Sequence, residues 1–204
     1  MNLPTEQERD IFLYKSNTPL EYHSGWFNTI DTDYIADDRV KAVADMAKDH
    51  KWLAFMGQQA GIGKTLLACR SLEMAWLHSE TQPDAVGNKS RHHPEQYQFY
   101  SVRNIAMRLC LSGVGYQDEF DKLNKLKAIV IDEFGSEGGM HPNAKERVLN
   151  LIWDMYDRNR MVILTSPIST IEEIENQYGG GLVSRIQQRG SFMLLSGQDY
   201  RLKG

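Results

Sequence analysis

Apolar positions in this chain follow two patterns, and the alternation between them predicts the fold class. Short unbroken runs occur at "WLAFMG" (52–57), "KAIVIDEFG" (127–135), "MVILTS" (161–166) and "SFMLLS" (191–196). Each is strand-length and bounded by turn or polar residues, which reads as a strand buried on both faces. "YQFYSV" (97–102) alternates and reads as a fifth strand. Elsewhere the spacing is helical. "DDRVKAVADMAKDH" (37–50) repeats at Val40, Val43, Ala44 and Ala47, with acids at its start. "GKTLLACRSLEMAWLH" (63–78), the stretch 103–111, "NAKERVLNLIWDMYDRN" (143–159), "TIEEIENQY" (170–178) and the glycine-led "GGGLVSRIQQRG" (179–190) also read as helices. Residues 79–96 carry turn residues without periodicity and read as a long surface loop, and 1–36 are polar with scattered aromatics. Buried strands alternating with helices predict an α/β fold, a parallel sheet with helices on both faces.

Composition narrows the class. A chain of 204 residues is long enough for one domain with a sizeable core. Its net charge of −4 excludes a basic nucleic-acid coat, so any such contact must be a local patch. Cys69 and Cys110 lack metal-ligand spacing and read as reduced thiols of a cytoplasmic protein. No apolar run approaches membrane-spanning length, and the polar "MNLPTEQERD" does not read as a signal peptide.

The chemistry begins at "GQQAGIGKT" (57–65), which lies between a predicted strand and a predicted helix. The phosphate-loop template G-x-x-x-x-G-K-[ST] matches at Gly63, Lys64 and Thr65, while its first glycine falls on Gln58, one place after Gly57. Backbone N–H groups from Gly61 to Thr65 at a helix N-terminus would form an anion nest. The expected nucleotide contacts are Ala60, Gly61, Ile62, Gly63, Lys64, Thr65 and Leu66, with Lys64 on the β- and γ-phosphates and the Thr65 hydroxyl on Mg²⁺. Asp132 and Glu133 end a buried strand, the edge at which α/β sheets bind ligands. Asp132 is expected to hold Mg²⁺ with Thr65, and Glu133 to orient or deprotonate the attacking water.

With those motifs in order, the chain resembles the DnaC/IstB branch of the AAA+ ATPases from about Asn17 to Arg201. "NTPLEYHSGWFNTI" looks like the opening segment of that branch, followed by "GIGKT", "IVIDEFGSE", "VILTSP" and "LVSRIQQRG…GQDYR". The resemblance implies a P-loop NTPase three-layer sandwich, with residues 1–16 as a short extension and 17–204 as the AAA+ domain. It implies no C-terminal helical lid, since the chain stops soon after the last strand. It implies ATP and Mg²⁺ as cofactors, a homo-oligomer, DNA, and a replicative helicase or a transposase as partner. Arg185 in "LVSRI" matches the arginine finger that reaches a neighbouring subunit's γ-phosphate, and Arg201 the second sensing arginine. Pro167 stands where the family carries a polar sensor, and proline has no donor to offer. Thr165 or Ser166 is left to substitute, and hydrolysis is expected to be slow.

The resemblance also places DNA on the inner face of an oligomer. Here the segment between the second and third strands carries Arg103, Arg108, Lys122, Lys125 and Lys127, with Tyr116 and Phe120 among them and Asp118, Glu119 and Asp121 diluting the patch. Basic groups there would neutralise phosphates and aromatics would stack on bases. Three readings stand at this point: a helicase loader of phage or mobile-element origin, a transposition helper ATPase, and a nucleotide-gated module with little turnover.

Overall fold

The computed structural model describes residues 5–23, 37–79, 93–110, 115–136, 140, 143–197 and 199. Five strands, β1 (Trp52–Met56), β2 (Tyr97–Ser101), β3 (Ala128–Asp132), β4 (Met161–Ser166) and β5 (Gly190–Leu194), form one sheet. Their order is β2-β3-β4-β1-β5, and every neighbouring pair is parallel. Eight helices accompany them among the described residues: α1 (Glu6–Lys15), α2 (Asp37–Lys48), α3 (Lys64–Leu77), α4 (Val102–Cys110), α5 (Gly115–Asn124), α6 (Ala144–Asp157), α7 (Ile171–Tyr178) and α8 (Gly180–Arg189).

Strand alternation divides the core in two. Leu53 and Phe55 of β1, Ala128 and Val130 of β3, and Met161 and Ile163 of β4 face α1, α2 and α3. The intervening residues, among them Ala54, Met56, Ile129, Ile131, Val162 and Leu164, face α4 to α8. Because successive side chains point to opposite faces, an unbroken apolar run has to be covered twice. This is the expected three-layer sandwich.

Two helices fall outside the predicted set. α1 has a weak apolar stripe, yet Phe12 and Leu13 are fully buried and Phe12 stacks on Trp76 of α3 with ring centroids 4.4 Å apart. The segment assigned as an extension therefore supplies part of the core. Its start carries a readable signal, a capping box in which Thr5 accepts from the Glu8 N–H and Glu8 reaches back to the Thr5 N–H. Arg9 pairs with Glu73, and Arg70 donates to the same carboxylate at 3.0 Å, all three nearly fully buried. α5 is the other addition, in a stretch read for its charges rather than its spacing. A third difference is the end of β3. The strand stops at Asp132, and Glu133 turns the chain with φ +60°.

The segment after α1 covers the β2 edge. The Phe99 N–H donates to the Ser16 carbonyl at 2.8 Å, and Gln98 Nε2 to that of Lys15 at 2.7 Å. A bare strand edge would otherwise be open to pairing with another chain.

Candidate functional site: a cleft at the C-terminal edge of the sheet

β3, β4 and β1 are neighbours, so the loops leaving their C-terminal ends meet. The chain leaves β1 for the far edge at β2 and later leaves β4 across β1 to reach β5. Connections that diverge in this way open a crevice at the strand ends. A cleft of about 340 Å³ lies there. Its lining includes Ala60, Gly61, Ile62, Gly63, Lys64, Thr65 and Leu66 from the glycine loop and α3, Glu133 after β3, and Thr165, Ser166 and Pro167 at the end of β4.

Local backbone chemistry shapes the loop. Gly57, the displaced glycine, donates its N–H to the carbonyls of Ser166 and Ile168, both at 3.1 Å. A Cβ at that position would lie 2.6 Å from the Leu195 carbonyl oxygen. Glycine is thus required where the loop leaves β1, while Gln58 is exposed. Gly61 and Gly63 have φ of +70° and +91°, and Gly63 caps α3 without a side-chain acceptor. The first N–H groups of α3 consequently face the cleft edge with the positive end of the helix dipole behind them. A side chain at 61 would also strike the Asp199 carboxylate, whose Oδ1 lies 1.7 Å from the Cβ position.

The Asp132 carboxylate and the Glu133 backbone are held by a hydrogen-bonded chain. Asp132 Oδ1 accepts from Thr65 Oγ1 at 3.0 Å and from Thr165 Oγ1 at 2.5 Å. Thr165 Oγ1 in turn accepts from the Glu133 N–H at 3.0 Å, and the Phe134 N–H donates to the Thr165 carbonyl at 2.8 Å. Glu133 is exposed at the cleft in a left-handed conformation that a non-glycine residue adopts only at a cost of about 1–3 kcal/mol. Strain of this kind collects at functional sites. Lys64 Nζ donates to the loop carbonyls of Gly57 and Gln59 at 2.7 and 2.8 Å, so its ammonium lies over the loop. On α3, burial and then the charge of Asp132 push the Cys69 thiol well up, which keeps it neutral.

These residues fit a magnesium nucleotide. A hydroxyl and a carboxylate 3.0 Å apart form a hard oxygen pair beside an anion cradle, the donor set Mg²⁺ takes together with phosphate oxygens. Among the described residues, no cluster of three histidine, cysteine or acidic side chains offers a protein-only metal site.

Of the substitute sensor positions, Thr165 is engaged both as donor and as acceptor, and Ser166 as acceptor alone. The Thr165 hydroxyl serves Asp132 and Glu133, and Ser166 Oγ accepts from the Ile168 N–H at 3.1 Å. Pro167 itself lines the cleft. Sequence reasoning missed Tyr22 and misread Thr165. Tyr22, from the short turn Leu20–Tyr22, lines the cleft as an aromatic wall, and its segment had been recognised only as a whole. Thr165 reads from sequence as a substitute sensor, whereas its hydroxyl anchors the Asp132 carboxylate and the Glu133 backbone.

Arg185 does not line its own chain's cleft. It projects from α8 onto α6, with its guanidinium 4.6 Å from the Trp153 ring centroid and 5.1 Å from that of Tyr156. Arg201 lies outside the described residues. The basic residues proposed for DNA are on α4 and α5 and just after α5, away from the cleft lining. Arg108 and Lys122 both pair with Glu119, at 3.2 and 2.6 Å, and the Lys122 hydrogen bond holds the Glu119 carboxyl below its ordinary pKa. Arg103 and Lys125 are exposed and carry no ion pair among the described residues. The Tyr116 ring is covered by Arg147 at 4.7 Å and packs near Phe120, so neither ring is simply displayed for stacking.

The five-stranded parallel sheet, the glycine loop entering α3 and the acids after β3 give an α/β three-layer arrangement of the kind seen in P-loop AAA+ structures. No family model matches the sequence, and no curated protein matches it in sequence. Solved structures do match in shape. The crystal structure of the DnaC helicase loader superposes with a TM-score of 0.64 at 16% identity, over 87% of this chain and 100% of that one. The crystal structure of DnaI gives 0.59 at 14% identity, over 88% and 95%. The replication initiator DnaA bound to AMPPCP and single-stranded DNA gives 0.59 at 14%, over 91% of this chain and 53% of that one. At these identities the likeness is one of fold, and it is the fold the DnaC/IstB resemblance implied.

Proposed function

We propose that this chain is a Mg²⁺- and ATP-dependent AAA+ ATPase that assembles on DNA and acts as a helicase loader of the DnaC type, encoded by a phage or other mobile element. The observation that carries the nucleotide reading is the chain Thr65–Asp132–Thr165–Glu133 beneath the glycine loop. Lys64 and the α3 N-terminus bind the phosphates, Thr65 and Asp132 hold the metal, and Tyr22 walls the cleft. Bound Mg²⁺ would neutralise phosphate charge as it develops. Glu133 takes the proton of the attacking water or orients it, and Arg185 serves a neighbouring subunit's γ-phosphate. The loader and DNA readings draw support from the neighbours, since DnaC is a helicase loader and the matching DnaA holds AMPPCP and single-stranded DNA.

The test is ATP binding and hydrolysis with and without single-stranded DNA and a replicative helicase. Lys64→Ala should abolish nucleotide binding, because it removes the cation that meets the phosphates. Glu133→Gln should keep binding and lose turnover by about 100-fold or more. Unchanged binding in Lys64→Ala would sink the proposal.

One observation favours a second reading, a nucleotide-gated module with little turnover. Pro167 occupies the sensor position, and the Thr165 hydroxyl is committed to the Asp132 carboxylate and the Glu133 backbone N–H. Tight ATP binding by a wild-type chain that stays inert with DNA and helicase would favour it, and DNA-stimulated turnover would dismiss it.

A further inference from the structure

Arg185 is held in an unusual way for an exposed-face arginine. Its guanidinium lies over two aromatic rings of α6, and Nη1 donates to the Gly181 carbonyl one turn back at 3.2 Å. No carboxylate pairs with it among the described residues, and its buried Nε–H has no acceptor there. The platform beneath it is pinned. The Tyr156 hydroxyl donates to Gln188 Oε1 at 2.7 Å, the Arg189 guanidinium covers the same ring at 4.9 Å, and Trp52 meets it edge-on at 5.9 Å. Trp153 and Tyr156 are three residues apart on one helix and so present their rings on one face.

We propose that Trp153 and Tyr156 are positioning residues that hold Arg185 for a phosphate group on a neighbouring copy of this chain. The inference rests on the reading of Arg185 as a cation acting across a subunit boundary. Its physical basis is what a ring holds and what it leaves alone. A carboxylate partner would fix the guanidinium by using its in-plane N–H groups and cancelling its charge. An aromatic face attracts the cation from above the plane, fixes its height and tilt, and leaves in-plane donors and full charge for an incoming oxyanion.

The experiment uses the full chain with ATP, Mg²⁺ and single-stranded DNA. It reads kcat and KM for ATP, together with ATP-dependent self-association by sedimentation. Trp153→Leu keeps an apolar side chain and removes the ring, and Trp153→Phe restores a face. Trp153→Leu should lower kcat, or weaken ATP-dependent association where turnover is negligible, by about tenfold. Its KM for ATP and its melting temperature should stay near the wild type, and Trp153→Phe should recover most of the loss. Mixing Trp153→Leu with Lys64→Ala subunits should restore activity, because the second variant supplies an intact Arg185 platform to the first variant's intact nucleotide site. If Arg185→Ala is damaging and Trp153→Leu is not, the platform idea falls while the trans arginine stands. If Arg185→Ala changes neither turnover nor association, the trans arginine itself falls. A Phe variant as damaged as Leu, or loss in step with melting temperature, would show a packing role and overturn the proposal.

Discussion

At Thr165 one hydroxyl makes two hydrogen bonds, donating to Asp132 Oδ1 and accepting from the Glu133 N–H. Both carboxylate-bearing residues are therefore set by a side chain that is 2% exposed and belongs to another strand. Thr165→Val preserves shape but leaves the Glu133 N–H and one Asp132 interaction without a partner. We expect it to cost about 1–3 kcal/mol of stability in urea denaturation. ATP turnover should fall more than nucleotide affinity, and Thr165→Ser should restore both. Equal turnover in Val and wild type would mean that Asp132 and Glu133 do not depend on this bond. The residue scale also resolves the imperfect template. Gly57 is fixed by its approach to the Leu195 carbonyl, a constraint from outside the motif that no template spacing expresses.

Among the elements, α1 shows how tertiary contact overrides a weak local pattern. Its turns have little amphipathic character, and its stability in place comes from Phe12 on Trp76 and from Arg9 on Glu73. Glu73 carries two arginines in a buried setting, so Glu73→Ala would leave two buried cations without their carboxylate. Removing one partner of such a group costs about 3–5 kcal/mol. A shift of the urea midpoint corresponding to less than about 1 kcal/mol would show that the cluster is not structural. Four of the five strands were legible because uninterrupted apolar runs leave few alternatives, and β2 because its apolar positions alternate. α5 was not, because charged residues dominate its sequence and obscure its helical spacing. α8 was expected as a helix, but only its packing on α6 set Arg185 over Trp153.

For the whole molecule, charge and pH give two further expectations. Burial, reinforced by the nearby His78, lowers the His50 pKa below its ordinary 6.5 against the opposing Lys48 backbone hydrogen bond and Asp49. The unfolded chain then binds a proton first as pH falls, so folding stability is present above about pH 6.5 and declines below it. Replacing His50 with Gln should flatten that slope in denaturation measured across this window, and an unchanged slope would assign it to other groups. On DNA, Glu119 already neutralises part of the charge of Arg108 and Lys122. Arg103→Ala with Lys125→Ala should therefore weaken binding more, and reduce the salt dependence more, than Arg108→Ala with Lys122→Ala. The reverse order in a salt titration would relocate the nucleic-acid contact.

By itself the sequence determined the five strands, the helices other than α1 and α5, and the chemistry these elements carry. Buried strands, the glycine loop before a helix and the acids ending a strand are local patterns whose causes lie within a few residues. Only the tertiary structure decided which of them meet. Insertion of β4 between β1 and β3 brought Thr165 to Asp132, and Asp132 to Thr65, from three separate stretches of chain. The same packing turned Arg185 away from its own cleft and onto Trp153 and Tyr156. Strand order depends on the sum of contacts across both layers of the core, and no local run of residues encodes that sum.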